Sequence, residues 1–327
     1  MHLVVGRVAH VQEGSRKAII AAFFANLGIA IAKFVGFILT GSAGMLAEAA
    51  HSMADTGNQG LLMFGSKRGN RPADSAHPFG YGPERYFWSF VVALVLFSMG
   101  GLFALYEGIH KLGTPQKIEN AFIAYAILGI SIALESFSLK TAIREANHVR
   151  HGRSWWKFIR TSKAPELPIV LLEDVGAEIG LMCALAGLTL AEITGNARWD
   201  AVGSIAIGLL LVAIAIILAT EMKGLLIGEA ASDKDLEAIN AALSGADNVN
   251  GIIHMRTMHL GPDELLVAAK LDFAPTLTVA ELAIAIDGAE VDLRAAVPIA
   301  TTIYIEPDIR RQSTGHPTDQ MTTQPSE

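Results

Sequence analysis

One cysteine, Cys183, in a chain of 327 residues excludes a disulfide framework and any multi-cysteine zinc site. Charge is scarce as well: Asp, Glu, Lys and Arg make up 17% of the residues and leave a formal net charge of −7. No basic run is interleaved with aromatics, which argues against nucleic acid as a partner. The first residues, MHLVVGRVAHVQEGSRK, have no apolar core followed by small residues, so no cleavable signal peptide is expected. An HExxH pair is absent too, which removes an intramembrane metalloprotease. What the chain does have is apolar side chains, 51% of its residues with a mean hydropathy of +0.40. That is too apolar for an ordinary soluble protein and points to a membrane portion with a soluble appendage.

A hydrocarbon core about 30 Å thick needs about 20 apolar residues at a helical rise of 1.5 Å. Six segments approach that length: 18–39, 43–66, 86–108, 121–142, 167–190 and 201–223. Lys and Arg gather on one side of them, with Arg7, Arg16 and Lys17 before the first span, Lys67, Arg68, Arg71 and Arg85 in the second connection, and Arg144, Arg150, Arg153, Lys157, Arg160 and Lys163 in the fourth. Lys111, Lys117 and Arg198 stand on the other side, so the positive-inside rule puts both termini in the cytoplasm. The expected organisation is an amino-terminal arm (1–17), a six-helix transmembrane domain (18–228), a cytoplasmic αββαβ domain (229–308) and a disordered tail (309–327). In the αββαβ part, Ser232/Asp235 and Thr278/Glu281 mark two helix starts. GIIHMRTMHL and ELLVAAKLDF read as two strands joined by GPD, and IATTIYIEPD reads as a third. Both helices should cover one face of the sheet.

The spans carry more polar groups than packing needs: Asn26, Lys33, Glu48, His51, Asp55, Asn58, Glu135, Glu173, Asp174, Glu178 and Asp200. An ionised Asp in mid-span costs about 2.5 to 3.5 kcal/mol on insertion scales, so a partner or a function has to offset it. His51 and Asp55 are spaced i, i+4, as are Asp174 and Glu178, so each pair shares a helix face. Counted along antiparallel helices, Asp55 (roughly 18 Å from the outer edge) matches Asp174 (roughly 20 Å), and His51 (roughly 12 Å) matches Glu178 (roughly 14 Å). One nitrogen and up to three carboxylates converging near the midplane have the composition of a site for a borderline divalent ion such as Zn²⁺. Interhelical hydrogen bonding is the competing use of such groups, but acids at one depth repel unless a cation or protons neutralise them. Asn26, Asn58 and Asp200 read as packing or capping groups, and Lys33, about mid-span in the first helix, either as a counter-ion for Glu48 or Glu135 or as a transport group.

TGSAGMLAEAAHSMADTGNQ, RPADSAHPFGYGPERYFW, six spans and the αββαβ tail together resemble the cation diffusion facilitator family of divalent metal transporters. LLEDVGAEIGL, RTMHLGPDELLVAAKLDF and IYIEPD look most like its branch containing the vertebrate zinc transporter nine. The resemblance covers about residues 15–308. It implies a multi-pass helical membrane protein with a ferredoxin-like cytoplasmic domain, homodimeric, in a bacterial-type inner or plasma membrane. Zn²⁺ would be exchanged for protons by alternating access, as substrate rather than cofactor, with Co²⁺, Fe²⁺ and Mn²⁺ as alternatives. The family's HxxxD pair falls on His51 and Asp55. Its second pair falls on Asp174 with Val170 four residues earlier, a departure that leaves three matched ligands. Either water completes the shell or Glu178 or Glu173 substitutes; depth favours Glu178, whereas Glu173 sits about 100° around the helix from Asp174. Glu48, Glu135 and Glu173 are left as groups of a proton path or of the ligands' surroundings.

Some members bind a loop metal through an Asp and two His. Asp74 and His77 match two of those positions and Tyr81 replaces the third, so a structural loop is the better expectation. His254 and His259 lie an odd number of residues apart on one strand and face opposite sides, which predicts no paired site there. Two rivals remain. One is a scaffold or sensor of the same fold without transport. The other is a di-iron carboxylate enzyme built on Glu48/His51 and Glu107/His110, with His110 too near the outer end of its helix to join.

Overall fold

The computed structural model describes residues 26–115, 120–150 and 152–310, and the chain divides into two compact units between Ile227 and Gly228. The arm 1–17, the start of the first expected span, Lys117 and the tail beyond residue 310 lie outside the described residues. The first unit is helical: α1 (Asn26–Thr40), α2 (Ala43–Gly69), α3 (Pro83–Gly113), α4 (Ala121–Val149), α5 (Trp155–Thr161), α6 (Glu166–Thr194) and α7 (Arg198–Ile227). Its long helices fall on the six apolar runs. By length and composition, three of them (α3, α4 and α7) can cross a membrane. The seven-residue helix α5 was not legible; its start is capped by Ser154, whose hydroxyl accepts from the Lys157 amide at 3.2 Å.

α3 contains a π-helical turn at Leu96–Leu102 and lies close along α7. Gly208 permits that approach, since a Cβ there would stand 2.7 Å from the Leu105 amide nitrogen. The core of the bundle is apolar, with Met45, Leu96, Leu128, Leu181, Leu188, Ile207 and Leu211 packed together from α2, α3, α4, α6 and α7.

Asp200, near the start of α7, closes the start of α2 and fills the capping role expected of it. Its carboxylate accepts from the Ser42 hydroxyl at 2.6 Å and from the Ala43 amide at 2.5 Å, while the Ser42 oxygen accepts from the Met45 amide at 3.2 Å. Donors that would otherwise be orphaned at a helix start are thereby satisfied by a side chain from another helix.

In the second unit, α8 (Asp233–Gly245), β1 (Val249–Gly261), β2 (Glu264–Phe273), α9 (Val279–Ala296) and β3 (Thr302–Asp308) follow in the expected order. β2 is central, antiparallel to β1 and parallel to β3. Leu265, Val267, Ala269, Leu271 and Phe273 alternate along β2 and pack with Ile239 and Leu243 of α8 and Ala289 and Leu293 of α9, so both helices cover one face. The Thr278/Glu281 capping box is present in both directions.

Asp200→Ala should lower stability by about 1 to 3 kcal/mol, and Asp200→Asn, whose amide oxygen still accepts, by less. Thermal unfolding in detergent checks this. Equal melting temperatures for wild type and both variants would contradict the capping role.

Candidate metal centre

Helical spacing places Glu48, His51, Asp55 and Asn58 on one side of α2, and all four turn inward. His51 is fully buried, with Nδ1 3.4 Å from Asp55 Oδ1. Neither ring nitrogen of His51 and no partner for Asp55 Oδ1 completes a hydrogen bond. Buried polar atoms in that condition are expensive unless a proton or a cation is to arrive.

α6 presents two acidic stripes. The stripe toward α2 runs through Glu173, Gly180 and Ala184. Glu173 accepts from Asn58 Nδ2 at 2.7 Å, and Cβ atoms at Gly180 and Gly44 would meet Glu48 Oε1 and Ala184. The stripe toward α4 carries Asp174, which accepts from the Ser138 hydroxyl at 2.9 Å, and Glu178, which accepts from the Ser136 hydroxyl at 3.0 Å. The depth argument singled out Glu178 and set Glu173 aside. In the structure it is Glu173 that faces α2, because small residues at 180 and 184 set the rotation of α6 against α2.

Asp55, Glu135, Val170, Glu173 and Asp174, with Asn26, line one narrow cleft of about 20 Å³; neither His51 nor Glu178 is among its lining residues. Among the described residues, no three His, Cys, Asp or Glu side chains stand close enough to hold one metal ion together. The pair on α2 is assembled, whereas the acids of α6 are held by Asn58, Ser138 and Ser136. Sequence reasoning missed Asn58 as a partner of Glu173 and Asn26 as a cleft residue. Their signal was position, since Asn58 continues the His51/Asp55 face by one more turn. Lys33, expected to counter Glu48 or Glu135, donates to Glu48 Oε2 at 3.1 Å and to the Ser52 hydroxyl at 2.8 Å, with Glu135 Oε1 at 4.0 Å.

The di-iron arrangement does not form, because Glu107 pairs with Lys111 at 3.6 Å and His110 stacks on Tyr106. In the loop after α2, Asp74 Oδ1 accepts from the Ala76 and His77 amides at 3.0 and 2.8 Å, and Oδ2 accepts from the Tyr81 hydroxyl at 2.7 Å. His77 Nδ1 stands 3.7 Å from Asp74 Oδ1, and the Arg71 guanidinium lies over the Tyr81 ring. Asp74 therefore serves a turn, and the Tyr81 hydroxyl, followed by the two amides, holds its carboxyl below the usual carboxylate range. On β1 the register is regular from His254, opposite Lys270, to His259, opposite Leu265, so the two histidines face opposite sides of the sheet.

Residues 19–227 match the cation efflux transmembrane domain. The chain is 32% identical over 263 residues to the human proton-coupled zinc antiporter SLC30A9, mitochondrial, covering 80% of this chain and 46% of that protein. It is 30% identical over 277 residues to metal tolerance protein C4 of Arabidopsis thaliana, covering 84% and 61%, and 29% identical over 246 residues to magnetosome protein MamB of Magnetospira sp. (strain QH-2), covering 74% and 78%. The chain thus spans about half the length of the zinc antiporters it matches. Fold and sequence together define a membrane protein of the cation-efflux class, of transporters rather than enzymes. The chain belongs to the cation diffusion facilitator family, and its matches include the zinc transporter nine-like branch.

Because the folded carboxyl of Asp74 titrates below its unfolded value near 3.8, its contribution to loop order is present above that value and lost as pH falls through the folded one. Asp74→Ala should speed proteolytic cleavage within residues 70–82 at neutral pH to the same extent with and without Zn²⁺. Protection that depends on Zn²⁺ and vanishes in the variant would instead assign the loop to a metal.

Proposed function

We propose that this chain is a Zn²⁺ efflux transporter that exchanges the metal for protons by alternating access, with six spans in the bilayer, both termini cytoplasmic, and a homodimer joined through the ferredoxin-like αββαβ domain. The observation that carries the reading is the buried pair His51 and Asp55 with unpartnered polar atoms, beside a cleft that also contains Asp174 and Glu173. Neutral imidazole and ionised carboxylates are what Zn²⁺ requires, so loading expels protons and returning protons expel the metal. His51 contributes the imidazole nitrogen of the set, which binds metal only in its neutral form.

His51, Asp55 and Asp174 are the ligands that match the family's pattern. Val170 lines the cleft where the family's pattern has a fourth, and Glu173, Glu178 or a water molecule takes its place. Position on the cleft favours Glu173, and matched depth with His51 favours Glu178. In either case an arriving ion draws carboxylates from Asn58, Ser138 or Ser136, which hold them between loads. The amide and hydroxyls give each acid of α6 one donor when no cation is present, while Glu178 Oε2 is left without a partner. Glu48 and Glu135 stand outside this set. The relatives' names support metal efflux; Co²⁺, Fe²⁺ and Mn²⁺ share the ligand chemistry and compete with Zn²⁺ as substrates. Val170 also keeps a second reading in play, a sensor or scaffold of this fold that binds metal without moving it.

In vesicles with a zinc dye and an imposed pH gradient, Asp55→Ala and Asp174→Ala should each reduce flux at least tenfold. Glu173→Gln and Glu178→Gln then identify the fourth ligand, the true one weakening apparent affinity about 10- to 100-fold and the other changing it little, whereas unchanged affinity in both means that water fills the shell. Wild type without flux under any gradient would favour the sensor. Flux unchanged in both aspartate variants would remove the site.

A further inference from the structure

Lys33 is the strongest charge in the bundle that the transport site does not use. It lies mid-way along the described part of α1, fully buried, and does not reach for either end of the helix as a long cationic side chain in a membrane ordinarily does. Its ammonium meets three oxygens from two other helices, Glu48 Oε2 at 3.1 Å and the Ser52 hydroxyl at 2.8 Å from α2, and Glu135 Oε1 at 4.0 Å from α4. The arrangement is preformed. Glu48 is fully buried, and its second oxygen, Oε1, rests against α6 where Gly180 leaves the space, since a Cβ there would stand 2.5 Å away. That oxygen has no hydrogen-bond partner. Two carboxyl groups and a hydroxyl thus face a single ammonium, and one carboxyl oxygen, Glu48 Oε1, is unpartnered. Ser52 and Glu135 also line the transport cleft, which makes the pocket its neighbour.

We propose that Glu48, Ser52 and Glu135 form a second, all-oxygen cation subsite, and that Lys33 is a tethered cation filling it. Oxygen ligands without nitrogen or sulfur suit hard divalent ions such as Mn²⁺ more than they suit Zn²⁺. Because the ammonium is covalently held, it cannot be carried across. It withholds Glu48 and Glu135 from the metal and restricts the chain to one divalent ion at a time. Only this last consequence rests on the transport reading; the subsite itself does not.

The test counts bound Mn²⁺ on the purified full-length protein in detergent, from the loss of the free-ion electron paramagnetic resonance signal. Lys33→Ala should bind one more Mn²⁺ per chain than wild type. The extra ion should disappear in Lys33→Ala/Glu48→Gln and be displaced by methylammonium, which returns an ammonium to the vacated position. A count equal to wild type in folded Lys33→Ala overturns the proposal, as does an extra ion that survives Glu48→Gln. If Lys33→Ala alone is unstable, Mn²⁺ or methylammonium should raise its melting temperature and leave that of wild type unmoved, and failure of both to do so also overturns it. Absence of zinc flux in wild type would remove the transport reading and leave the Mn²⁺ count untouched.

Discussion

A carboxylate inside a helical bundle must find a donor, a cation or a proton, because no water is at hand to solvate it. The first unit is arranged around that constraint. Glu48, Asp55, Glu135, Glu173, Asp174 and Glu178 share one buried lysine, Lys33, and side-chain donors from Asn58, Ser136 and Ser138. Asp200 obeys the same rule by another route, spending its oxygens on the exposed donors at the start of α2. Among the buried atoms left without a hydrogen-bond partner are both ring nitrogens of His51 and oxygens of Asp55, Glu48 and Glu178, and the His51/Asp55 pair brings such atoms together within 3.4 Å.

The two stripes of α6 give the constraint a mechanical side. Asp174 and Glu178 lean toward α4, while Glu173 leans toward α2, and the cleft opens between these holds. In the proposed transport cycle, gathering acids from α6 onto the α2 pair would exchange hydrogen bonds for metal bonds and so couple ion arrival to the relative rotation of α2, α4 and α6. A bundle whose polar contacts are individually modest can change them at small cost, and alternating access needs contacts of that kind.

Much of this was legible because it depends on one helix or one strand at a time. Apolar runs located the long helices, with described ends that agree to within about seven residues, and the Thr278/Glu281 spacing announced its capping box. Parity along β1 put His254 and His259 on opposite faces, and the register between them is unbroken. Lys33 as counter-ion to Glu48 or Glu135 was also within reach, since an unpaired mid-span lysine needs an acid. What could not be read is how each helix is turned against its neighbours. Periodicity states that Glu173 and Glu178 lie on different faces of α6, but the small residues Gly180 and Ala184, packing on α2, decide which face meets which helix. Asn58 was set aside as packing because its partner depends on that rotation. The helix α5 escaped because seven residues do not make a periodic pattern.

X-ray absorption at the zinc edge of the Zn²⁺-loaded full-length protein tests the central claim most directly. One imidazole nitrogen and carboxylate oxygens in a four-coordinate shell at about 2.0 to 2.2 Å are predicted, with the imidazole signature lost in His51→Ala. A six-coordinate, water-like shell, or an imidazole signature that persists in His51→Ala, would contradict it.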